Sequence, residues 1–103
     1  MTDTLHIFVF YDIQRNDKRT KIAQTLTAAG LVRIQYSVFA GYIRRKYYNK
    51  MTTELDDIML KYPHIDDKIY FLPIGQQQHK KINMLGKTTD WATIFEPPTT
   101  IFL

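Results

Sequence analysis

An aspartate that directly follows an apolar run is the most informative candidate for chemistry in this sequence. The run is Leu5–Tyr11 (LHIFVFY), which is short and β-prone, and Asp12 ends it. A carboxylate at the carboxyl end of a central strand occupies a position that active sites favour. The alternative is structural: Asp12 begins a turn or caps residues 13–16 through its side chain. The residues alone favour this second interpretation.

Other candidate ligands are sparse. The sequence contains no cysteine, so any metal must bind to oxygen or imidazole ligands. The histidines are too scattered to be paired into a site, and we expect surface or half-buried positions for His6, His64 and His79. Two pairs of adjacent acids, Asp56–Asp57 and Asp66–Asp67, are expected to be solvated charges and caps. No glycine-rich phosphate loop or nucleophile elbow occurs.

Positive charge is concentrated in one part of the chain. The formal net charge is +4, and residues 14–50 contain nine basic residues against one acid, Asp17. Residues 51–103 contain five basic and seven acidic residues. This distribution favours a polyanionic partner, although a solvated helix face remains an open interpretation. The nine basic residues are Arg15, Lys18, Arg19, Lys21, Arg33, Arg44, Arg45, Lys46 and Lys50.

The elements that position these residues follow from hydrophobic periodicity. After the first strand, Asn16 or Asp17 caps a helix that ends at Gly30. Leu31–Phe39 alternates as a half-buried strand, and a return strand includes Gly41–Ile43. The position of the turn is open and could be as early as Tyr36–Ser37.

The second half repeats the helix and strand pattern. Apolar residues from Ile43 to Tyr62 indicate an amphipathic helix that Pro63 terminates. Asp67–Ile74 is predicted as a strand, in which Pro73 implies an edge position or the end of pairing. Another short strand is predicted at 81–85, and the terminal segment 99–103 could pair with a sheet edge.

This order predicts an α+β protein with a ferredoxin-like βαββαβ fold. Its sheet would be antiparallel, with both helices on one face and the other face uncovered. We expect residues 1–86 to form the domain and residues 87–103 a tail that pairs with a partner or a second subunit. No apolar run is long enough to cross a bilayer, so a soluble cytoplasmic protein is expected.

Several stretches closely resemble the signature of CRISPR-associated protein two, the small partner of the spacer integrase. The matching segments are Phe10–Ile13, Asn16–Arg19 and Gly30–Phe39 followed by Gly41, in the family's order and spacing. The resemblance covers roughly residues 5–86. Two positions depart from the pattern, with Ala40 where glutamate is frequent and Thr20 where arginine is frequent. These departures bear on catalysis more than on the fold.

The resemblance implies a homodimer whose open sheet faces meet, so that Asp12 of both chains converges on Mg²⁺ or Mn²⁺. It also implies metal-dependent endonuclease activity on RNA or DNA. Arg19 and Arg33 would neutralise phosphate or transition-state charge, and Ser37 would make a polar contact. Phe39 would pack at the dimer surface. Turn and core roles for Ser37 and Phe39 are equally open.

Two further functions remain open. The first is a non-catalytic dimeric scaffold that bridges the CRISPR integrase subunits and holds duplex DNA along a basic surface. The nucleic-acid-binding residues would be Arg15, Lys18, Lys21, Arg44, Arg45, Lys46 and Lys50. The second is a toxin-like ribonuclease of the same fold. The preferred substrate among RNA, single-stranded DNA and duplex DNA is left open by the sequence.

Overall fold

One antiparallel sheet organises the chain, of which the computed structural model describes residues 3–97. Its elements are β1 (Thr4–Asp12), α1 (Asn16–Ala28), β2 (Val32–Gln35), β3 (Val38–Arg44), α2 (Arg45–Lys61), β4 (Lys68–Ile74), a 3₁₀ helix (Gln78–Lys81) and α3 (Trp91–Phe95). The strand order is β2-β3-β1-β4, and all neighbouring strands are antiparallel. This topology is the predicted ferredoxin-like one.

The central strand β1 is apolar because both of its faces are used. Ile7, Val9 and Tyr11 are buried in the main core. That core includes residues of both long helices, namely Ile22, Leu26, Met51 and Leu55. Side chains alternate across a strand, so the even-numbered residues of β1 face away from these helices.

Helix α1 ends where the sequence predicts, but its N-cap is not the predicted residue. Its C-terminus is a Schellman motif: the N–H of Gly30 donates to the carbonyl of Thr27, and that of Leu31 donates to the carbonyl of Leu26. Gly30 has a φ of +92°, which glycine adopts without strain. The N-cap is Arg15, which provides no side-chain cap, so the predicted capping by Asn16 or Asp17 is wrong.

The hairpin between β2 and β3 turns at Tyr36–Ser37, the earlier of the positions left open by the sequence. Gln35 is paired with Val38 across this two-residue turn. The segment 31–39 is therefore not a single strand. Ile43 is a buried residue of β3 rather than of a helix, and α2 begins at Arg45.

The face of the sheet opposite the long helices is partly covered by the chain's own C-terminal segment. Ala40, Ile94 and Phe95 form a second buried cluster, against which Phe8 and Trp91 pack. The expectation of an uncovered face is therefore wrong for this region, where residues beyond the predicted boundary at residue 86 pack on the sheet. The predicted strand at 81–85 is also wrong, because the chain there has no regular structure after the 3₁₀ helix. The predicted terminal strand 99–103 lies outside the described residues.

The remainder of that face is exposed and apolar. Tyr70 and Leu72 of β4 are 57% and 50% exposed, and they are paired with Phe10 and Phe8 of β1. Val38 of β3 is paired with Phe10 from the other side. As predicted from Pro73, β4 is an edge strand.

Among residues 3–97, no helix combines the length and apolarity needed to cross a membrane.

Candidate functional site

Asp12 lies at the end of β1, on the face of the sheet away from the long helices. Its side chain is exposed, and its strand partner on β4 is Lys68. Directly opposed residues of antiparallel strands have side chains on the same face, so Asp12 and Lys68 are neighbours. On the β3 side, the N–H of Tyr11 donates to the carbonyl of Ser37 at 3.1 Å. The Tyr36–Ser37 turn therefore lies beside the strand end that carries Asp12.

The loop after Asp12 is held by Arg19. Its Nη1 donates to the carbonyl oxygens of Ile13 at 2.8 Å and Gln14 at 3.1 Å, and its Nη2 donates to Asn16 Oδ1 at 3.3 Å. Ile13 is also buried in the main core. The loop is thus fixed by Arg19 and by core packing rather than by Asp12, whose carboxylate points to solvent. The role of Arg19 that the structure displays is positional.

A buried ion pair also holds the loop after Asp12 in place. Lys18 Nζ lies 2.6 Å from Asp67 Oδ2, and both side chains are only 1% exposed. Asp67 Oδ1 also accepts the N–H of Gln14 at 2.9 Å. Burial raises the pKa of the Asp67 carboxyl, but the hydrogen bonds from Lys18 and Gln14 outweigh this effect and hold the pKa below its ordinary value.

This pair corrects two predictions. Lys18 cannot meet a phosphate, because its ammonium group is enclosed and also donates to the carbonyl of Tyr62 at 2.5 Å. Asp67 is not a solvated charge. The sequence contains no local signal for this pair, since its two members are 49 residues apart.

Arg33 lies on the other side of the sheet from Asp12. It is paired with Phe39, and its guanidinium carbon is 5.1 Å from the centre of that ring. Its Nη2 donates to the Tyr11 hydroxyl at 3.3 Å, and that hydroxyl donates to the Tyr36 carbonyl at 3.2 Å. Within one chain, Arg33 and Asp12 are therefore on opposite faces.

Phe39 does not lie at a dimer surface. It is 1% exposed and belongs to the core beneath the long helices. The register of β3 against β1 places it opposite Val9, which explains its burial on that face. The core interpretation that the sequence left open is the correct one.

The predicted nucleic-acid-binding residues are divided between the two ends of the sheet. Arg15 and Lys21 are exposed near the Asp12 end, where α1 begins. The exposed residues at the far end are Arg44, Arg45, Lys46 and Lys50. Arg44 is paired with Thr4, eight residues from Asp12 along β1, which is about 26 Å at about 3.3 Å per residue.

Two histidines that the sequence did not bring together lie in contact under α3. The ring centres of His6 and His79 are 5.9 Å apart, and both rings are buried. Nε2 of His79 is 2.8 Å from Glu96 Oε2. Burial and the nearby His79 lower the pKa of His6 below its ordinary value.

Only a shared or water-rich metal site is compatible with the described residues. Within residues 3–97, no group of three or more histidine, cysteine or acidic side chains could enclose an ion. Asp12 could supply one hard oxygen ligand per chain. Mg²⁺ keeps several waters and is often bound by only one or two carboxylates, so Asp12 fits such an ion.

Comparison with known proteins identifies the family. The family model of CRISPR associated protein Cas2 matches residues 5–82. The CRISPR-associated endoribonuclease Cas2 1 of Methanospirillum hungatei is 34% identical over 50 residues, which cover 48% of this chain and 53% of that protein. The protein of the same description from Francisella tularensis subsp. novicida is 32% identical over 72 residues, 70% of each chain.

A third relative is longer. The CRISPR-associated endonuclease Cas1/endonuclease Cas2 fusion of Thermoproteus tenax is 49% identical over 37 residues, which cover 36% of this chain and 14% of the fusion. The match thus spans about half of the Methanospirillum protein and a small part of the fusion.

Solved structures agree on the fold. A crystal structure of Cas2 has a TM-score of 0.63 at 18% identity and covers 97% of this chain and 99% of its own. Streptococcus pyogenes Cas2 has a TM-score of 0.62 at 20% identity and covers 79% of this chain and 99% of its own. Since the family model matches most of the sequence, this chain belongs to the CRISPR-associated protein Cas2 family.

Proposed function

We propose that this protein is a metal-dependent endonuclease of CRISPR adaptation that acts as a homodimer in the cytoplasm. The observation that supports this proposal best is Asp12, a solvent-facing carboxylate at the end of a central strand. Of the backbone N–H groups that it was expected to cap, that of Gln14 donates to Asp67 Oδ1 instead, and the loop carbonyls of Ile13 and Gln14 accept hydrogen bonds from Arg19. The carboxylate is therefore free for another use. Two relatives are named endoribonucleases, which fits phosphodiester cleavage.

Asp12 of the two protomers would hold Mg²⁺ or Mn²⁺. A bound ion of this kind supplies an activated water and charge stabilisation for attack on a phosphodiester. The proposed task of Asp12 is to fix the ion at the strand ends. Its exposure leaves room for the waters that Mg²⁺ retains.

The residues around Asp12 would position the substrate. Lys68 is exposed opposite Asp12 and could contact a phosphate oxygen, a role that only the strand register suggests. Arg19 keeps the loop after Asp12 in place, and Ser37 lies beside the strand end. Arg33 lies on the sheet face opposite Asp12. It is therefore proposed to contact phosphate only if the nucleic acid wraps around the edge of the sheet.

The dimer would form through the exposed apolar part of the sheet. This strip, formed by Phe10, Val38, Tyr70 and Leu72, lies next to Asp12 on the same face. A second copy placed on it would bury these side chains and bring two Asp12 carboxylates toward each other. The proposed interface is smaller than the whole sheet face, because α3 occupies the rest.

The scaffold function remains a second candidate because of the basic residues at the far end. Arg44, Arg45, Lys46 and Lys50 are exposed, and the strand partner of Arg44, Thr4, is about 26 Å from Asp12 along β1, too far for Arg44 to serve a cleavage site there. They could hold duplex DNA through phosphates, independently of sequence. The Thermoproteus relative is named as a fusion with Cas1, which fits an integrase partner for this chain.

Cleavage by an Asp12→Asn variant tests the proposed function. RNA, single-stranded DNA and duplex DNA would each be incubated with Mg²⁺, Mn²⁺ or EDTA. We expect metal-dependent cleavage by the wild type and at least a 100-fold loss in Asp12→Asn, while the dimer is retained. Asp56→Asn, which alters an exposed carboxylate on α2, is the matched control and should cleave normally.

The two candidate functions predict different results for the Asp12→Asn variant. Unchanged cleavage by Asp12→Asn would reject the metal role. Normal spacer acquisition by the same variant, together with weaker duplex binding by Arg44→Glu/Lys46→Glu, would favour the scaffold.

A further inference from the structure

Three cationic side chains surround one tyrosine at the Asp12 end of the sheet. The centre of the Tyr62 ring is 5.3 Å from Arg15 Cζ, 5.7 Å from Lys21 Nζ and 5.4 Å from Lys61 Nζ. Tyr62 is half-buried and follows the last residue of α2, whereas Arg15 and Lys21 belong to the start of α1. These four residues, called the Tyr62 cluster below, therefore join the two long helices.

Only one of the three cations of the cluster forms a salt bridge within residues 3–97. An aromatic ring has two faces, so at least two of the three cations share one face and repel each other. Arg15 is paired with Asp17 at 2.5 Å. In the stretch 3–97, neither Lys21 nor Lys61 forms a salt bridge. An anion bound at the cluster would relieve this repulsion.

The tyrosine distinguishes the cluster from an ordinary charged surface. Sites for single-stranded nucleic acid combine aromatic rings, on which bases stack, with cations that contact the phosphates. The backbone of Tyr62 is held by the buried ammonium of Lys18 through its carbonyl oxygen. The backbone from which the Tyr62 ring projects is therefore held from the core.

The cluster is also close to the proposed cleavage site. Arg15 is three residues from Asp12, so their Cα atoms are at most about 11 Å apart. The loop between them is tied to Asp67 by the N–H of Gln14. A nucleic-acid strand lying on the cluster could pass around the sheet end to Asp12.

The geometry points to the Tyr62 cluster as a binding site for one single-stranded nucleic-acid segment. A base displaces the lysine side chains from one face of the Tyr62 ring and stacks there, and Lys21 and Lys61 contact the adjacent phosphates instead. The inference rests on the proposed nuclease function and adds the place on this chain where a single strand binds and the side from which it reaches Asp12.

Oligonucleotide binding without cleavage tests the site. Fluorescence anisotropy of a labelled single-stranded oligonucleotide would be measured with Asp12→Asn protein in EDTA, over a series of salt concentrations. Lys21→Gln and Lys61→Gln should each reduce the slope of log affinity against log salt by about 0.7. Tyr62→Leu should weaken binding by about 5- to 150-fold, whereas Tyr62→Phe should not.

Lys80→Gln provides the matched control. Lys80 is an exposed lysine of the 3₁₀ helix, on the other side of the sheet, and its loss should leave the affinity and the salt slope unchanged. The two lysine variants change only exposed side chains, so they test the site even where Tyr62→Leu unfolds the protein.

Several outcomes would overturn the inference. These are lysine variants with the wild-type salt slope, a folded Tyr62→Leu with wild-type affinity, or tighter binding of duplex than of single strands. Polyglutamate of equal charge that competes as well as the oligonucleotide would reject nucleic acid as the occupant. Persistent cleavage by Asp12→Asn would instead reject the metal role and leave these binding results intact.

Discussion

The ammonium group of Lys18 lies 2.6 Å from the carboxylate of Asp67, and water reaches almost none of either side chain. The pair joins the first turns of α1 to the residue that precedes β4. Asp67 also accepts the N–H of Gln14, two residues after Asp12. The geometry of the Asp12 loop therefore depends on an electrostatic contact inside the protein.

Removing one member of this pair should strongly destabilise the fold. In Lys18→Met, the Asp67 carboxylate stays buried without its counter-charge, and we expect the free energy of unfolding to fall by about 3–5 kcal/mol. Urea unfolding followed by circular dichroism measures the change. The double variant Lys18→Met/Asp67→Leu should recover much of the loss, because no charge is then buried. A loss below about 1 kcal/mol in Lys18→Met would contradict this account.

Arg19 should affect cleavage through the loop and not through direct contact with substrate. Arg19→Ala removes three hydrogen bonds to residues 13–16, and we expect cleavage to fall about 10- to 100-fold. Because Arg19 positions Asp12, the Mg²⁺ concentration for half-maximal activity should rise while oligonucleotide affinity in EDTA changes little. Arg19→Lys should restore only part of the activity, since lysine cannot reach several carbonyls at once. Loss of oligonucleotide affinity with unchanged Mg²⁺ dependence would instead indicate a substrate contact.

The sequence predicted what is local in this fold. The apolar run before Asp12, Gly30 after α1 and Pro63 after α2 each act within a few residues, and each marks an element boundary as expected. The sequence did not predict which distant segments pack against each other. Periodicity assigns a residue to a face, but it does not identify the segment that packs on that face, which is why the cover provided by α3 was not predicted.

The same limit applies to the candidate site. Asp12 could be selected from its place after a strand, and its role as a metal ligand stays a prediction. Lys18 could not be separated from the exposed cations, because its burial depends on Asp67, 49 residues away. Lys68 emerged as a neighbour of Asp12 only from the register of β4.

Acid should loosen the C-terminal cover of the sheet. The pKa of His6 is lowered by burial and by His79, while Glu96 acts in the opposite direction. A lowered histidine pKa contributes stability above the ordinary value of about 6.5, and this contribution is lost as the pH falls below that value. The unfolding free energy should therefore decrease between pH 7 and 5, by at most about 1.4 kcal/mol per pH unit.

Tryptophan emission can follow this change, because Trp91 is the single tryptophan and packs against Phe8 and Phe95. We expect its emission to shift to longer wavelength at lower denaturant as the pH falls. His6→Leu removes the titrating group and should flatten the pH dependence. Identical pH profiles for the wild type and His6→Leu would refute the assignment to His6.

A charge placed on the exposed sheet strip should separate the proposed dimer. Leu72 is 50% exposed in the single chain, so Leu72→Lys disturbs little of the fold. In a dimer that covers this strip, the added ammonium would be desolvated without a partner, which costs several kcal/mol. We therefore expect sedimentation equilibrium to give a dimer for the wild type and a monomer, or at least a 100-fold weaker dimer, for Leu72→Lys.

Leu60→Lys is the control for this change. Leu60 is 70% exposed on α2, on the opposite side of the sheet from Leu72, and its replacement should leave the dimer intact. Since the metal is proposed to be shared by Asp12 of both protomers, monomeric Leu72→Lys should also lose cleavage, while Leu60→Lys retains it. Full cleavage by a monomer would reject the shared site even if the dimer contact is correct, because a single Asp12 would then be sufficient.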